Sequence, residues 1–194
     1  MNKLIPGDLL TLEAYAKARP EYRQRMIAHK KNRTVALGDH ITLLFEDELT
    51  VRYQVQEMLR IEKIFEEAGI RDELDAYNPL IPDGSNWKAT LLIEYPDVEE
   101  RRVMLAQLKG IEDRIWVQAD GCARVFAIAD EDLERENDEK TSSVHFVRFE
   151  LDGDMKKALS AGARLSLGVD HPAYAVEVDA GPAVRDALLR DLDS

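Results

Sequence analysis

The sequence predicts an α+β fold: a mostly helical N-terminal part packed on a mixed or antiparallel sheet that two βαββ repeats build. Three observations lead there. A strand-like run, His40 to Glu46, feeds a long amphipathic segment from about Leu49 to Ala68. The second half runs strand, helix, hairpin, and then does so again. Between the halves lies the one loop rich in Pro, Gly, Asn and Ser, Asn78 to Asn86, which either divides a helical part (1–80) from a sheet part (86–194) within one compact unit or serves as a ligand loop.

Taken in order, Asp8 is an N-cap type residue, and Leu9, Leu12 and Ala16 follow helical spacing to about Arg19. Pro20 suits a first helical position, so a second helix is expected from there to about Lys31. Thr34 to Leu37 and His40 to Glu46 read as a hairpin around Gly38-Asp39. On the following helix, Val51, Val55, Met58, Leu59 and Phe65 share one side, and Glu62 falls inside that apolar stripe. A carboxylate there is expected to be buried and paired with a cation.

In the second half, Ala89 to Tyr95 is a strand, Asp97 to Lys109 a helix, and Arg114 to Ala119 with Ala123 to Ala129 a hairpin around Asp120-Gly121. The order recurs as strand Val144 to Leu151, helix Asp154 to Ala161, and a hairpin of Leu165 to Val169 with Ala173 to Val178 around Asp170-His171. Pro182 opens a closing helix. Two such units sharing one sheet give about six strands with helices on one face. Trp87 and Trp116 belong to the core or rim of that layer, and His145 to its inward side.

Charge and cysteine content exclude some functions. There are 26 Lys and Arg against 38 Asp and Glu, a net charge of −12, which disfavours nucleic acid and anionic membranes as partners. No apolar run reaches the roughly 20 residues that span a bilayer, and the N-terminus lacks a signal-peptide core. Cys122 is the only cysteine, which fits a reducing, cytoplasmic setting. The basic residues concentrate before Val35. The acidic run Asp130 to Thr141 is either a solvated linker or an internal clasp that docks on this basic segment.

No phosphate loop, nucleophile elbow or cysteine pair is present, and no cofactor is implied. Arg52, Gln56, Arg60 and Lys63 form a stripe on the long helix. Such a stripe is either a salt-bridged surface or, with His29, Lys30, Arg33 and Glu62, the lining of a cleft for an acidic ligand.

Several segments carry a resemblance: His29-Lys30-Lys31, Gly38-Asp39-His40-Ile41-Thr42-Leu43-Leu44-Phe45-Glu46-Asp47, Ala76-Tyr77-Asn78-Pro79-Leu80-Ile81-Pro82 and Gly168-Val169-Asp170-His171-Pro172. The stretches Thr50 to Met58 and Asp138 to Phe146 share it. Over essentially its whole length the chain is similar to an uncharacterised bacterial family of unknown function. That resemblance brings no activity, cofactor or catalytic residue. It implies an accessory role near redox or peroxide-defence chemistry, because the family's genes lie near those of a rubrerythrin-like di-iron protein and an iron–sulfur oxidoreductase. The expected function is therefore a cytoplasmic binding or accessory protein that engages a redox partner protein or a small acidic ligand. The alternative is a metal-dependent or acid/base enzyme using Glu62 and a histidine.

Overall fold

The computed structural model describes residues 3–133, 135–137 and 139–193; Glu134 and Asp138 of the acidic run lie outside the described residues. The fold is α+β, with six α-helices and two antiparallel sheets among the described residues.

Helix α1 is Leu12–Lys31, with Thr11 as its N-cap, accepting from the Ala14 N–H at 3.3 Å. It runs unbroken through Pro20, where two helices were expected. Proline removes one backbone hydrogen bond there, but tertiary contacts hold both sides of it. Tyr15 and Tyr22 meet edge to face, Tyr22 stacks on Tyr53 of the next helix, and Arg19 pairs with Glu57.

Strands β1 (Thr34–Ala36) and β2 (Ile41–Phe45) form the expected hairpin, with Gly38 in the left-handed region that glycine adopts without strain. Helix α2, Glu48–Glu62, starts at a reciprocal cap between Asp47 and Thr50. It stops where Lys63 turns left-handed (φ 56°), short of the expected Ala68, and α3 follows at Glu67–Tyr77. The apolar stripe therefore ends at Leu59, and Ile61 and Phe65 are exposed. Leu4, Val51, Val55, Leu59, Leu74 and Ile81 form a small core of their own.

The remaining elements are β3 (Asn86–Ile93), α4 (Val98–Gln107), β4 (Ile115–Ala119), β5 (Val125–Phe126), β6 (Ile128–Ala129), β7 (Val144–Glu150), α5 (Gly153–Ser160), β8 (Leu165–His171), β9 (Tyr174–Asp179) and α6 (Gly181–Leu189). They do not share one sheet, which corrects the expected single layer. The first sheet has the order β1-β2-β3-β7-β6 and the second β5-β4-β8-β9. The opening strands of the two βαββ segments, β3 and β7, pair with each other antiparallel; β4 and β8 do the same in the second sheet. The run expected as one strand from Ala123 to Ala129 changes sheets at the buried Ala127. β1 and β2, from the helical part, extend the sheet of the second half.

Both sheets contribute inward side chains to one core, which Leu105, Leu108, Met155, Leu159 and Leu188 complete from or beside α4, α5 and α6. Trp87 and Trp116 are both buried. Arg124 lies over the Trp116 ring at 3.8 Å, and a side chain at Gly168 would overlap that ring and the Val176 carbonyl. None of the described helices is long and apolar enough to cross a membrane.

Candidate functional site

The residues expected to line a common cleft separate into three groups. His29, Arg33 and Arg52 do line one cleft, of about 330 Å³, together with Asp47, Arg190 and Asp191. His29, Arg33 and Arg52 are each already paired with a carboxylate. His29 Nε2 lies 2.6 Å from Asp47 Oδ2, and Arg52 Nη2 donates to Glu48 Oε1 at 2.5 Å. Arg33 is 2 % exposed and grips both oxygens of Asp191, besides donating to the Phe45 and Glu46 carbonyls at 3.0 Å. Burial pushes the Asp191 carboxyl up to about 6, against the pull of Arg33. Arg33 thus ties the chain's last helical turn to β2 and α2.

The second group is structural. Gln56 is buried and exchanges two hydrogen bonds with the Leu10 backbone, at 2.6 and 3.2 Å. Lys30 lies 5.8 Å from the Tyr53 ring centre. Arg60 donates to Glu57 at 3.2 Å. Glu57 is the carboxylate that the sequence reading missed. It accepts from Tyr15 Oη at 2.7 Å and from Arg19 at 2.7 and 2.9 Å. Arg19 foremost holds its carboxyl down to about 2. The third group, Glu62 and Lys63, is exposed at the helix end. Glu62 is therefore not the buried, paired carboxylate expected; the stripe that was to bury it stops one turn earlier.

The ion pairs of the acidic run among the described residues do not reach the basic segment. Among the described residues, Glu131 holds Arg148, Asp130 and Asp132 hold Arg135, and Glu136 lies 3.9 Å from Lys109. The run thus binds its own half of the chain.

A larger groove of about 620 Å³ opens on the first sheet between the Tyr77–Pro82 loop and Glu131-Asp132. Tyr77, Pro79, Leu80, Pro82 and Phe146 give it an apolar lining. Lys88, on β3, stands half-buried in it. Its Nζ donates to the Pro79 carbonyl at 2.6 Å and the Ile81 carbonyl at 3.1 Å, and burial lowers its pKa. Arg148 lies alongside, held by Glu131 and Glu150. Asp83 accepts from Ser85 and Asn86 and shapes the loop's return into β3. Sequence reasoning raised this loop as a ligand loop but had no sign of Lys88.

A third constellation is buried. His145 is 0 % exposed; its Nδ1 lies 2.6 Å from Asp130 Oδ2 and its Nε2 2.9 Å from Thr141 Oγ1. Thr141 Oγ1 donates to Glu112 Oε2 at 3.2 Å, and burial raises the Glu112 carboxyl.

Two antiparallel sheets around one core, with a partly apolar groove on the first sheet, define an α+β protein. The chain belongs to the family described as "Protein of unknown function (DUF3501)", whose model matches residues 3–192. It is similar to the crystal structure of a novel protein of unknown function from Burkholderia pseudomallei K96243, at 58 % identity and a TM-score of 0.95, over 99 % of this chain and 100 % of that one. No curated protein matches.

Proposed function

We propose that the protein is a binding or accessory component that takes a small amphipathic monoacid in the groove beside Lys88. The single observation that carries this is the state of Lys88. An ammonium has three N–H donors; two are spent on the Pro79 and Ile81 carbonyls, and the group is partly stripped of water. A carboxylate taking the third donor would offset that desolvation with a charge-assisted bond. The apolar lining offers the ligand's body a surface, and the volume suits a small molecule. Asp83, Glu131, Asp132 and Glu150 outnumber Lys3, Lys88 and Arg148 around the groove, which disfavours polyanions, nucleic acid included, while one carboxylate can be matched at Lys88. This moves the acidic-ligand reading from the helix cleft, where carboxylates already pair with His29, Arg33 and Arg52, to the groove. The cytoplasmic setting rests on the lone Cys122, and service to a redox system on the family resemblance alone.

Calorimetry with octanoate tests the reading. The wild type should bind octanoate, and Lys88→Gln should bind it about 10–100-fold more weakly, the worth of one hydrogen bond to a charged group. Octanol should bind the wild type no better than octanoate binds the variant. Equal octanoate binding by wild type and Lys88→Gln, or none by either, contradicts it.

A further inference from the structure

Two stretches well separated in sequence, the 3₁₀ turn Ile111–Arg114 and residues 130–145, meet at one imidazole. Glu112 comes from the 3₁₀ turn Ile111–Arg114, Thr141 and Ser142 from the strap between β6 and β7, and His145 from β7 itself. One donor atom each of Glu112, Asp130 and His145 lies within 4.8 Å of the other two. We infer that these groups form a site for one divalent first-row transition-metal cation. Its ligands are His145 Nε2, Glu112 Oε2, Thr141 Oγ1 and the Ser142 carbonyl oxygen, with Asp130 holding the ring from behind. The inference is independent of the groove and of what binds there.

The spacing fits a common centre. Ligands about 2.0–2.2 Å from one cation lie roughly 3.0–3.5 Å from their neighbours. Here Nε2 lies 2.9 Å from Thr141 Oγ1 and 3.0 Å from the Ser142 oxygen, and Oγ1 lies 3.2 Å from Glu112 Oε2. The Nε2 to Glu112 Oε2 separation is 3.9 Å, so that carboxylate alone must move inward, by roughly half an ångström. Asp130 supplies the outer support that metal-bound histidines use. Its Oδ2 lies 2.6 Å from Nδ1, while Oδ1 accepts from the Phe146 N–H at 3.2 Å and from Arg135 at 3.1 Å. In the tautomer that carries its proton on Nδ1, toward Asp130, the Nε2 lone pair faces the other oxygens. A lone pair 3.0 Å from a carbonyl oxygen calls for a positive centre between them, either a proton on Nε2 or a cation. A metal ion satisfies Nε2 and the three oxygens together.

The donor set of one imidazole and three oxygens, with no sulfur, suits Mn²⁺, Fe²⁺, Co²⁺ or Zn²⁺ rather than a thiolate-bound metal. His145, Thr141 and Glu112 are 0 %, 1 % and 7 % exposed, so the bound ion acts as a clamp. It would tie the strap to the first sheet and to the turn that precedes β4.

The test titrates chelator-treated full-length protein with Zn²⁺ by calorimetry and with Co²⁺ by visible absorption. One-to-one binding is expected, with a higher melting temperature in the presence of metal. His145→Gln and the isosteric Glu112→Gln should each lose at least about tenfold in affinity, and Asp130→Asn about 10–100-fold. His29→Gln, at the other His–Asp pair, should bind like the wild type. If His145→Gln fails to fold, Glu112→Gln carries the test. No binding by the wild type at millimolar metal, or wild-type binding by Glu112→Gln, overturns the site and leaves a closed hydrogen-bond network. Loss of binding in His29→Gln assigns the metal to the cleft instead and equally overturns it.

Discussion

Glu57→Gln tests the hub that joins α1 to α2. Glu57 accepts hydrogen bonds from Tyr15, Arg19 and Arg60, and its side chain is 13 % exposed. Its carboxyl is held down to about 2 from an ordinary 4.5, with Arg19 the main cause. At about 1.4 kcal/mol per unit, a shift of that size corresponds to roughly 3 kcal/mol. The Arg19 side chain is 35 % exposed, and solvent screening reduces the usable part to about 1–2 kcal/mol. The sign follows from linkage. A depressed carboxyl contributes stability that is complete above its ordinary value and is lost as pH falls toward its folded value. Glu57→Gln should therefore cost about 1–2 kcal/mol at pH 7, or roughly 3–6 °C in melting temperature for a chain of this size. By pH 3 most of the difference should be gone. Urea denaturation of both proteins at the two pH values measures it. The same difference at pH 7 and pH 3 would refute the electrostatic account of the hub.

Two further perturbations separate buried from exposed charge. Arg33→Ala should cost about 3–5 kcal/mol in urea denaturation, because it strands Asp191 in the interior, and Arg33→Met with Asp191→Leu should recover much of that. Burial holds the Asp191 carboxyl up to about 6, above its ordinary 3.8, so its contribution is complete below the ordinary value and is lost as pH rises through the folded one. Asp191→Asn should accordingly flatten the decline in stability from about pH 4 to pH 7. Glu62→Ala and Glu66→Ala should both leave stability within about 0.5 kcal/mol of wild type, since both side chains are exposed; a large loss in Glu62→Ala alone would contradict the helix end at Lys63.

Local signals made the elements legible, and non-local pairing hid their arrangement. The Gly38-Asp39 hairpin and the strand, helix, hairpin order of the second half follow from periodicity and turn chemistry. Which sheet a strand joins depends on partners distant in sequence, as β3 with β7 and β4 with β8. The Ala127 crossover between sheets therefore had no local mark. Lysine is no signature of a left-handed helix end, so the wheel ran past Lys63 and centred the stripe on Glu62. Glu57, one turn back, draws its partners Tyr15 and Arg19 from another helix. Tertiary packing likewise overrode the Pro20 break. The groove was half legible: the Asn78 to Asn86 loop stood out by composition, whereas Lys88, just outside the strand expected from Ala89, carried no mark in the sequence. Glu112, Asp130 and His145 meet only through the fold, although the inward position of His145 on its strand was readable.

The measurement that bears most directly on the proposed function is a ¹H–¹⁵N correlation spectrum of the full-length protein titrated with octanoate. Groove binding predicts that the amides of Leu80, Ile81, Lys88, Phe146 and Arg148 shift together and saturate, while those of Arg33, Arg52 and Asp191 stay in place. Saturating shifts confined to the Arg33, Arg52 and Asp191 cleft, or a spectrum that octanoate leaves unchanged, would contradict it.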